Sequence, residues 1–187
     1  MKYLIVGIGN KGEEYTETRH NIGFKVAEEI GRNIEAPFQS SNFGLMAEGK
    51  YKGRKVFVLK PDTYVNLSGN AVRYWMQKEN IPLENILVVT DDLSLPFGTL
   101  RMKAKGSAAG HNGLKNIEAV LNTSQYARLR FGISAEFSQG HQIDYVLGRW
   151  TEEEQEKLPE RIRKFAEAAL SFVFAGVNNT MSSYNGK

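Results

Sequence analysis

The side chains able to do chemistry in this chain are few and unevenly spread. None of its 187 residues is a cysteine, and the only histidines are His20, His111 and His141. That removes thiol nucleophiles, disulfides and Cys-ligated zinc, and leaves imidazole as the base suited to neutral pH. His20 stands in Arg19-His20-Asn21, directly ahead of a helical apolar pattern. The partial positive charge of a helix N-terminus disfavours imidazolium, so a histidine there stays neutral and can accept a proton. Asp91 ends the apolar run of "NILVVTDDL" (85–93) and is the candidate partner for His20. A carboxylate so placed fixes the imidazole tautomer and stabilises the imidazolium that forms in the transition state. Asp92 would point to the opposite face if the strand persists.

The amides come next. Asn10 follows Gly9 at the end of the first apolar run, and Asn66 and Asn112 each stand before a helical pattern. The ordinary fate of such asparagines is a cap or a turn. Their side chains can also bind a peptide-like group or donate to a developing oxyanion. No H-x-H, H-E-x-x-H or EF-hand spacing occurs, so no metal is expected. Ser68 in Asn-Leu-Ser-Gly lacks the G-x-S-x-G elbow. Water is therefore the expected nucleophile, activated by His20 and Asp91. His111 reads as part of a turn into a helix, and His141, in the polar loop "FSQGHQ" (137–142), is given no role.

Gly7, Gly9 and Gly12 have the G-x-G-x-x-G spacing of a dinucleotide-binding turn. The residues after Gly12 argue against a nucleotide. Glu13, Glu14 and Glu17 would repel a pyrophosphate, and helical spacing resumes only after Asn21. No cofactor is expected.

These residues need a scaffold to hold them. Apolar runs at 3–8 and 85–93 read as buried strands, and 45–51 with 55–59 as a hairpin turning at Gly53. Leu100 to Ala104 and Arg128 to Ile133 read as further strands, with Ile143 to Leu147 a weaker one. Helical spacing follows Asn21 (read as an N-cap), Ser68 and Asn112, and a capping box at Thr151 and Glu154 opens the C-terminal segment. Pro159 is expected to end or kink the helix that starts there, or to begin the next. Strands alternating with helices predict an α/β fold: one domain over 1–187, three α/β/α layers, and a twisted, mostly parallel mixed sheet with one antiparallel hairpin. In such sheets working groups gather beyond the carboxyl ends of strands, which brings Asn10, Asp91 and Asn66 together.

Net charge is +3 with a pI near 9.0. Arg101, Lys103, Lys105 and Lys115 surround one Gly-rich stretch, and Arg128 and Arg130 lie on a later apolar run. A basic patch set apart from the acidic stretch 151–156 suits a polyanion such as RNA. The longest apolar runs are too short for a signal peptide or a membrane span, so a soluble cytoplasmic protein with no membrane partner is expected.

Four stretches, "VGIGNKGEEYTETRHNIGF", "LKPDTYVNLSG", "VVTDDLSLPFGTLRMKAKGSAAGHNGLKNI" and "YARLRFGI", together resemble bacterial peptidyl-tRNA hydrolases, in order and over essentially the whole chain. The resemblance implies an esterase that frees tRNA from the peptide left by stalled translation. It implies peptidyl-tRNA as the partner, a monomer, His20 as catalytic base and Asp91 as its support. Asn10, Tyr15, Tyr64, Asn66 and Asn112 become substrate-binding residues, with Asn112 also placing or polarising the reacting water. Lys103 and Arg130 become a clamp on the tRNA 5′-phosphate. Lys11, Val65 and Ala109 depart from the family pattern, which usually has proline after the loop asparagine and often glycine at the last position. An RNA-binding protein of the same fold that leaves the ester intact is the alternative.

Overall fold

The computed structural model describes residues 1–137 and 140–187. Part of the polar loop around His141 therefore lies outside the described residues. A seven-stranded sheet runs through the middle in the order β2-β3-β4-β1-β5-β7-β6. Its strands are β1 (Lys2–Gly7), β2 (Gln39–Ser41), β3 (Gly44–Tyr51), β4 (Arg54–Pro61), β5 (Ile86–Asp92), β6 (Leu100–Lys103) and β7 (Ala127–Gly132). The four central strands, β4, β1, β5 and β7, are parallel. β1 and β5 read as unbroken apolar runs because both of their faces are covered. Ile5, Leu87 and Val89 pack beneath α1 (Ile22–Asn33) and α5 (Glu152–Ala175). Leu4, Val6, Ile86 and Val88 face the other way, toward α2 (Ser68–Lys78) and α3 (Asn112–Leu121). The predicted three-layer α/β/α domain is the observed one.

Several local expectations give way. Antiparallel pairing is not confined to one hairpin: β2 adds to β3, and β6 runs against β7. The short segment 93–99 after β5 cannot make the long crossover a parallel neighbour needs, so the chain reverses into β6. Residues 143–147 are not a strand. α4 (Gln142–Val146) is a short helix there, too brief for periodicity to separate from a strand. Pro159 neither ends nor divides its helix; α5 runs through it for 24 residues. The capping box of Thr151 and Glu154 closes the N-terminus, and Phe165, Ala169, Leu170 and Val173 bury the far half, which outweighs one missing N–H. A final helix, α6 (Val177–Tyr184), packs on the same layer.

The first glycine of the G-x-G-x-x-G run has a packing job. A Cβ on Gly7 would sit 2.2 Å from the Gly23 carbonyl oxygen, and one on Gly23 would lie 2.5–2.7 Å from backbone atoms of Ile8 and Val89. The two glycines let α1 lie directly on β1 and β5, which sets the turn before α1 above the strand ends. Helix propensity alone would favour alanine over Gly23 by ~1 kcal/mol. Gly23→Ala is nevertheless expected to destabilise the protein by about 2–3 kcal/mol, because the added methyl meets backbone that cannot yield. Denaturant unfolding of the variant checks this, and a gain in stability would contradict the packing account.

Candidate active site

His20 belongs to a one-turn 3-10 helix, Arg19–Asn21, that leads into α1. The turn is fastened from behind. The Arg19 N–H donates to the Gly148 carbonyl at 3.0 Å, and its guanidinium donates to the Tyr145 carbonyl at 3.1 Å while lying over the Tyr145 ring. Glu154 of the capping box takes a further contact from the same guanidinium at 3.4 Å.

Asp91, at the carboxyl end of β5, is 4% exposed and touches two histidines. His20 Nδ1 lies 2.7 Å from Asp91 Oδ2, and His111 Nε2 lies 2.7 Å from Oδ1. The hydrogen-bond pattern assigns both tautomers. His111 is the N-cap of α3, and its Nδ1 accepts from the Gly113 and Leu114 N–H groups at 3.0 and 3.4 Å. Its proton must then be on Nε2, which donates to Asp91. The other carboxylate oxygen accepts from His20 Nδ1–H, and His20 Nε2 keeps a free lone pair. Backbone amides at the start of α3 thus determine, through His111 and Asp91, which nitrogen of His20 can act as a base.

Charge reinforces this arrangement. Burial is the largest influence on His20 and favours its neutral form, but the Asp91 charge and hydrogen bond together outweigh it. The His20 pKa is raised above its ordinary 6.5. Burial pushes Asp91 up, yet the two histidines more than reverse that and hold its carboxyl well below the usual range. These three groups are also the only His/Cys/Asp/Glu set among the described residues with ligand atoms within 4.8 Å of one another. Each facing nitrogen is already bonded to a carboxylate oxygen, so a cation there would have to displace both bonds.

Asn10 and Asn21 hold each other. The Asn10 N–H donates to Asn21 Oδ1 and Asn21 Nδ2 donates to the Asn10 carbonyl, both at 2.9 Å. Asn21 does stand at the N-cap position of α1, but its side chain makes no capping bond and serves Asn10 instead. The Asn10 Oδ1 accepts the Val65 N–H at 3.1 Å, which leaves its NH2 group for a ligand. Val65 opens the 3-10 turn Val65–Leu67, so this bond draws Asn66 toward the same strand end. Asn66 is exposed and is not a cap; Tyr64 is 64% exposed. Tyr15 is half-buried in the turn Glu13–Tyr15. Asn112, the first residue of α3, is exposed and lines a cleft of about 110 Å³ with His20, Asp91, Arg130, Ile143 and Val146.

The basic residues divide into two groups. Arg101, Lys103, Lys105 and Lys115 are exposed. Arg128 and Arg130 are buried, contrary to a reading of all six as one surface patch. Arg130 donates to Asp92 Oδ2 at 3.3 Å and to the Ser107 carbonyl at 2.8 Å. Arg128 also donates to the Ser107 carbonyl, at 3.3 Å, and lies over the Tyr126 ring. They are internal ties on the loop that runs from Lys103 to His111. Lys103 faces Arg128 across the β6–β7 ladder, two pairs along from Arg130, which faces Arg101. Asp91 and Asp92 do separate as adjacent strand residues should, one to the histidines and one to Arg130 and Ser94. Ala109 takes a left-handed φ of 51°, a conformation that costs alanine more than glycine.

Sequence reasoning missed His111, the work of Asn21 and the anchoring by Arg19. The first had a signal: a histidine one residue ahead of a candidate Asn at a helix start. The other two depend on partners far along the chain and had none.

The profile of the peptidyl-tRNA hydrolase family matches residues 4–187. A peptidyl-tRNA hydrolase of Bacteroides fragilis is 57% identical over 187 residues, covering 100% of both chains. One from Porphyromonas gingivalis is 56% identical over 185 residues, 99% of this chain and 100% of that one. The crystal structure of the Acinetobacter baumannii peptidyl-tRNA hydrolase superposes with a TM-score of 0.92 at 32% identity, over 98% of this chain and 94% of that one.

In an NMR titration, His20 is expected to titrate above 6.5. Removing the carboxylate charge with Asp91→Asn should lower that value. The linkage has the same sign: the stability His20 gains from Asp91 is complete below its unfolded pKa and is lost as pH rises through the folded one. A His20 that titrates at the same pH in both proteins would remove Asp91 as the cause.

Proposed function

The chain belongs to the peptidyl-tRNA hydrolase family, and from that membership we propose that it cleaves the ester joining a peptide to the terminal ribose of tRNA. One observation carries the mechanism: a buried carboxylate is shared by two imidazoles, and His20 Nε2 alone keeps an open lone pair. His20 takes a proton from water as the oxygen attacks the ester carbonyl, and Asp91 stabilises the imidazolium that results. The imidazolium then returns its proton to the departing ribose hydroxyl. His111 holds Asp91 in place and does not itself meet the substrate. The free NH2 group of Asn10 and the exposed amide of Asn112 are the donors for the oxyanion. Asn66, Tyr64 and Tyr15 contact the peptide near its ester end.

On the RNA side, Lys103 contacts the 5′-phosphate directly. Arg130 completes that clamp from beneath, holding the 104–110 loop through Ser107 and lending its charge. No helix among the described residues is long and apolar enough to cross a membrane. The enzyme is read as a cytoplasmic monomer that needs no cofactor.

His20→Ala should lose about 10²–10⁴ in turnover of N-acetyl-aminoacyl-tRNA, measured as release of the N-acetyl amino acid. The acid limb of the wild-type kcat/KM profile should lie above 6.5, where His20 becomes neutral. Near-full activity in a folded His20→Ala protein would sink the assignment, and tRNA binding without hydrolysis by the wild type would favour the non-catalytic alternative.

Lys103→Ala should raise KM with little change in kcat, and reduce the salt dependence of tRNA binding by roughly one phosphate contact. Arg130→Gln should affect both constants, since it also releases the loop that carries His111. A KM unchanged by Lys103→Ala would remove it from the clamp.

A further inference from the structure

β6 is the last strand of the sheet and pairs with β7 along one edge. Arg101 and Lys103 are exposed on one of its faces, and Leu100 and Met102 are buried on the other. An edge strand leaves alternate backbone groups pointing away from its neighbour. On β6 the turn that follows α6 takes these up. The Asn185 side chain accepts from the Met102 N–H at 2.6 Å and donates to the Met102 carbonyl at 3.0 Å. The Gly186 N–H donates to the Leu100 carbonyl at 3.1 Å. Arg161 of α5 stitches turn to strand, donating to the Gly98 carbonyl at 3.1 Å and to the Lys187 main-chain oxygen at 3.2 Å. The catalytic mechanism uses none of these groups.

We propose that Asn185 is a positioning residue for the substrate's RNA: its side chain fixes the end of β6 so that Lys103 meets the 5′-phosphate. The inference rests on the peptidyl-tRNA reading and adds to it a residue from far along the chain. The type of side chain is the first support. A primary amide sets one donor beside one acceptor, which matches the N–H and C=O of a single residue. A carboxylate could only accept there, and an alkyl group could do neither. The place of the bond is the second. Met102 stands between Arg101 and Lys103, and the ladder stops at the pair Lys103–Arg128, where the 104–110 loop begins. The last residues of a strand paired along one edge are the first to open. A lysine on an opened backbone would lose main-chain freedom as well as side-chain freedom on meeting a phosphate, which weakens binding. The third support is that Asn185 is itself held. Its N–H donates to the Met181 carbonyl at 3.1 Å, Met181 and Tyr184 pack against the core, and buried Thr180 shares a hydrogen bond of 2.8 Å with Ser171 of α5. The amide is therefore presented to β6 from a fixed helix end.

Asn185→Ala should raise KM for 5′-phosphorylated N-acetyl-aminoacyl-tRNA about fivefold, the net effect of losing roughly one hydrogen bond, with kcat little changed. With the same tRNA carrying a 5′-hydroxyl, KM should be the same for the variant and the wild type. In the Lys103→Ala background, Asn185→Ala should add no further rise, because the contact it serves is already gone. A general loss of folding would act on both substrates and in both backgrounds alike. An equal rise for the 5′-phosphate and 5′-hydroxyl substrates, or a rise that persists without Lys103, would overturn the proposal while leaving the esterase intact. A wild type that cleaves both substrates with the same KM would remove the phosphate clamp and this proposal with it. Failure of the wild type to cleave either would overturn the esterase reading on which both depend. Hydrogen exchange in the wild type needs no variant. The Met102 amide should exchange as slowly as those of β7, and exchange as fast as in the 104–110 loop would refute the role given to Asn185.

Discussion

Everything at the strand ends is organised around a carboxylate that burial should have discouraged. Asp91 is nearly sealed from solvent, and a buried charge is tolerable only when it is fully bonded. Two ring N–H groups at 2.7 Å meet that requirement. His111 can donate because two backbone amides at the start of α3 occupy its other nitrogen. His20 can donate because the 3-10 turn before α1 holds its ring over the end of β5. The ionised state of Asp91 therefore depends on two helices being correctly seated on opposite faces of the sheet. The geometry of His20 comes from packing, and its tautomer from the same few bonds.

Packing also explains why the glycine-rich opening is misleading when read as a phosphate cradle. Gly7 serves the contact between β1 and α1, and Gly9 faces Asn21 and Phe24 so closely that a Cβ would lie 3.0 Å from each. The spacing of a nucleotide fingerprint arises here from helix-on-sheet contact and from a tight passage beneath a side-chain clamp. The carboxylates just past it, Glu13, Glu14 and Glu17, are exposed, where they would repel a pyrophosphate.

The layers, the central strands and the pair His20–Asp91 were legible because they arise from local patterns: unbroken apolar runs, helical periodicity, and polar residues where those runs stop. The capping box of α5 was legible for the same reason. What escaped depended on distance or brevity. α4 is too short for a period, and β6 takes its direction from the length of a turn. Arg128 and Arg130 looked like surface charge because strand alternation does not reveal that a loop will fold over them. His111 was the most instructive omission. Its neighbour Asn112 drew attention as a possible donor, while the histidine beside it makes the bond that orients Asp91.

The mutual clamp of Asn10 and Asn21 has an effect beyond placing one amide. By accepting from the Asn10 N–H and donating to its carbonyl, the Asn21 side chain offers the main chain what a neighbouring strand would offer. β1 gains one extra rung of sheet after its own pairing with β4 and β5 has stopped, supplied by a residue at the mouth of the next helix. A loop secured in this way has no need of a ring-constrained residue to keep its shape. The position after Asn10 is thereby released from a backbone duty. Lys11 can occupy it with its side chain exposed, so the loop that fixes one part of the candidate site is free to vary at its outer turn.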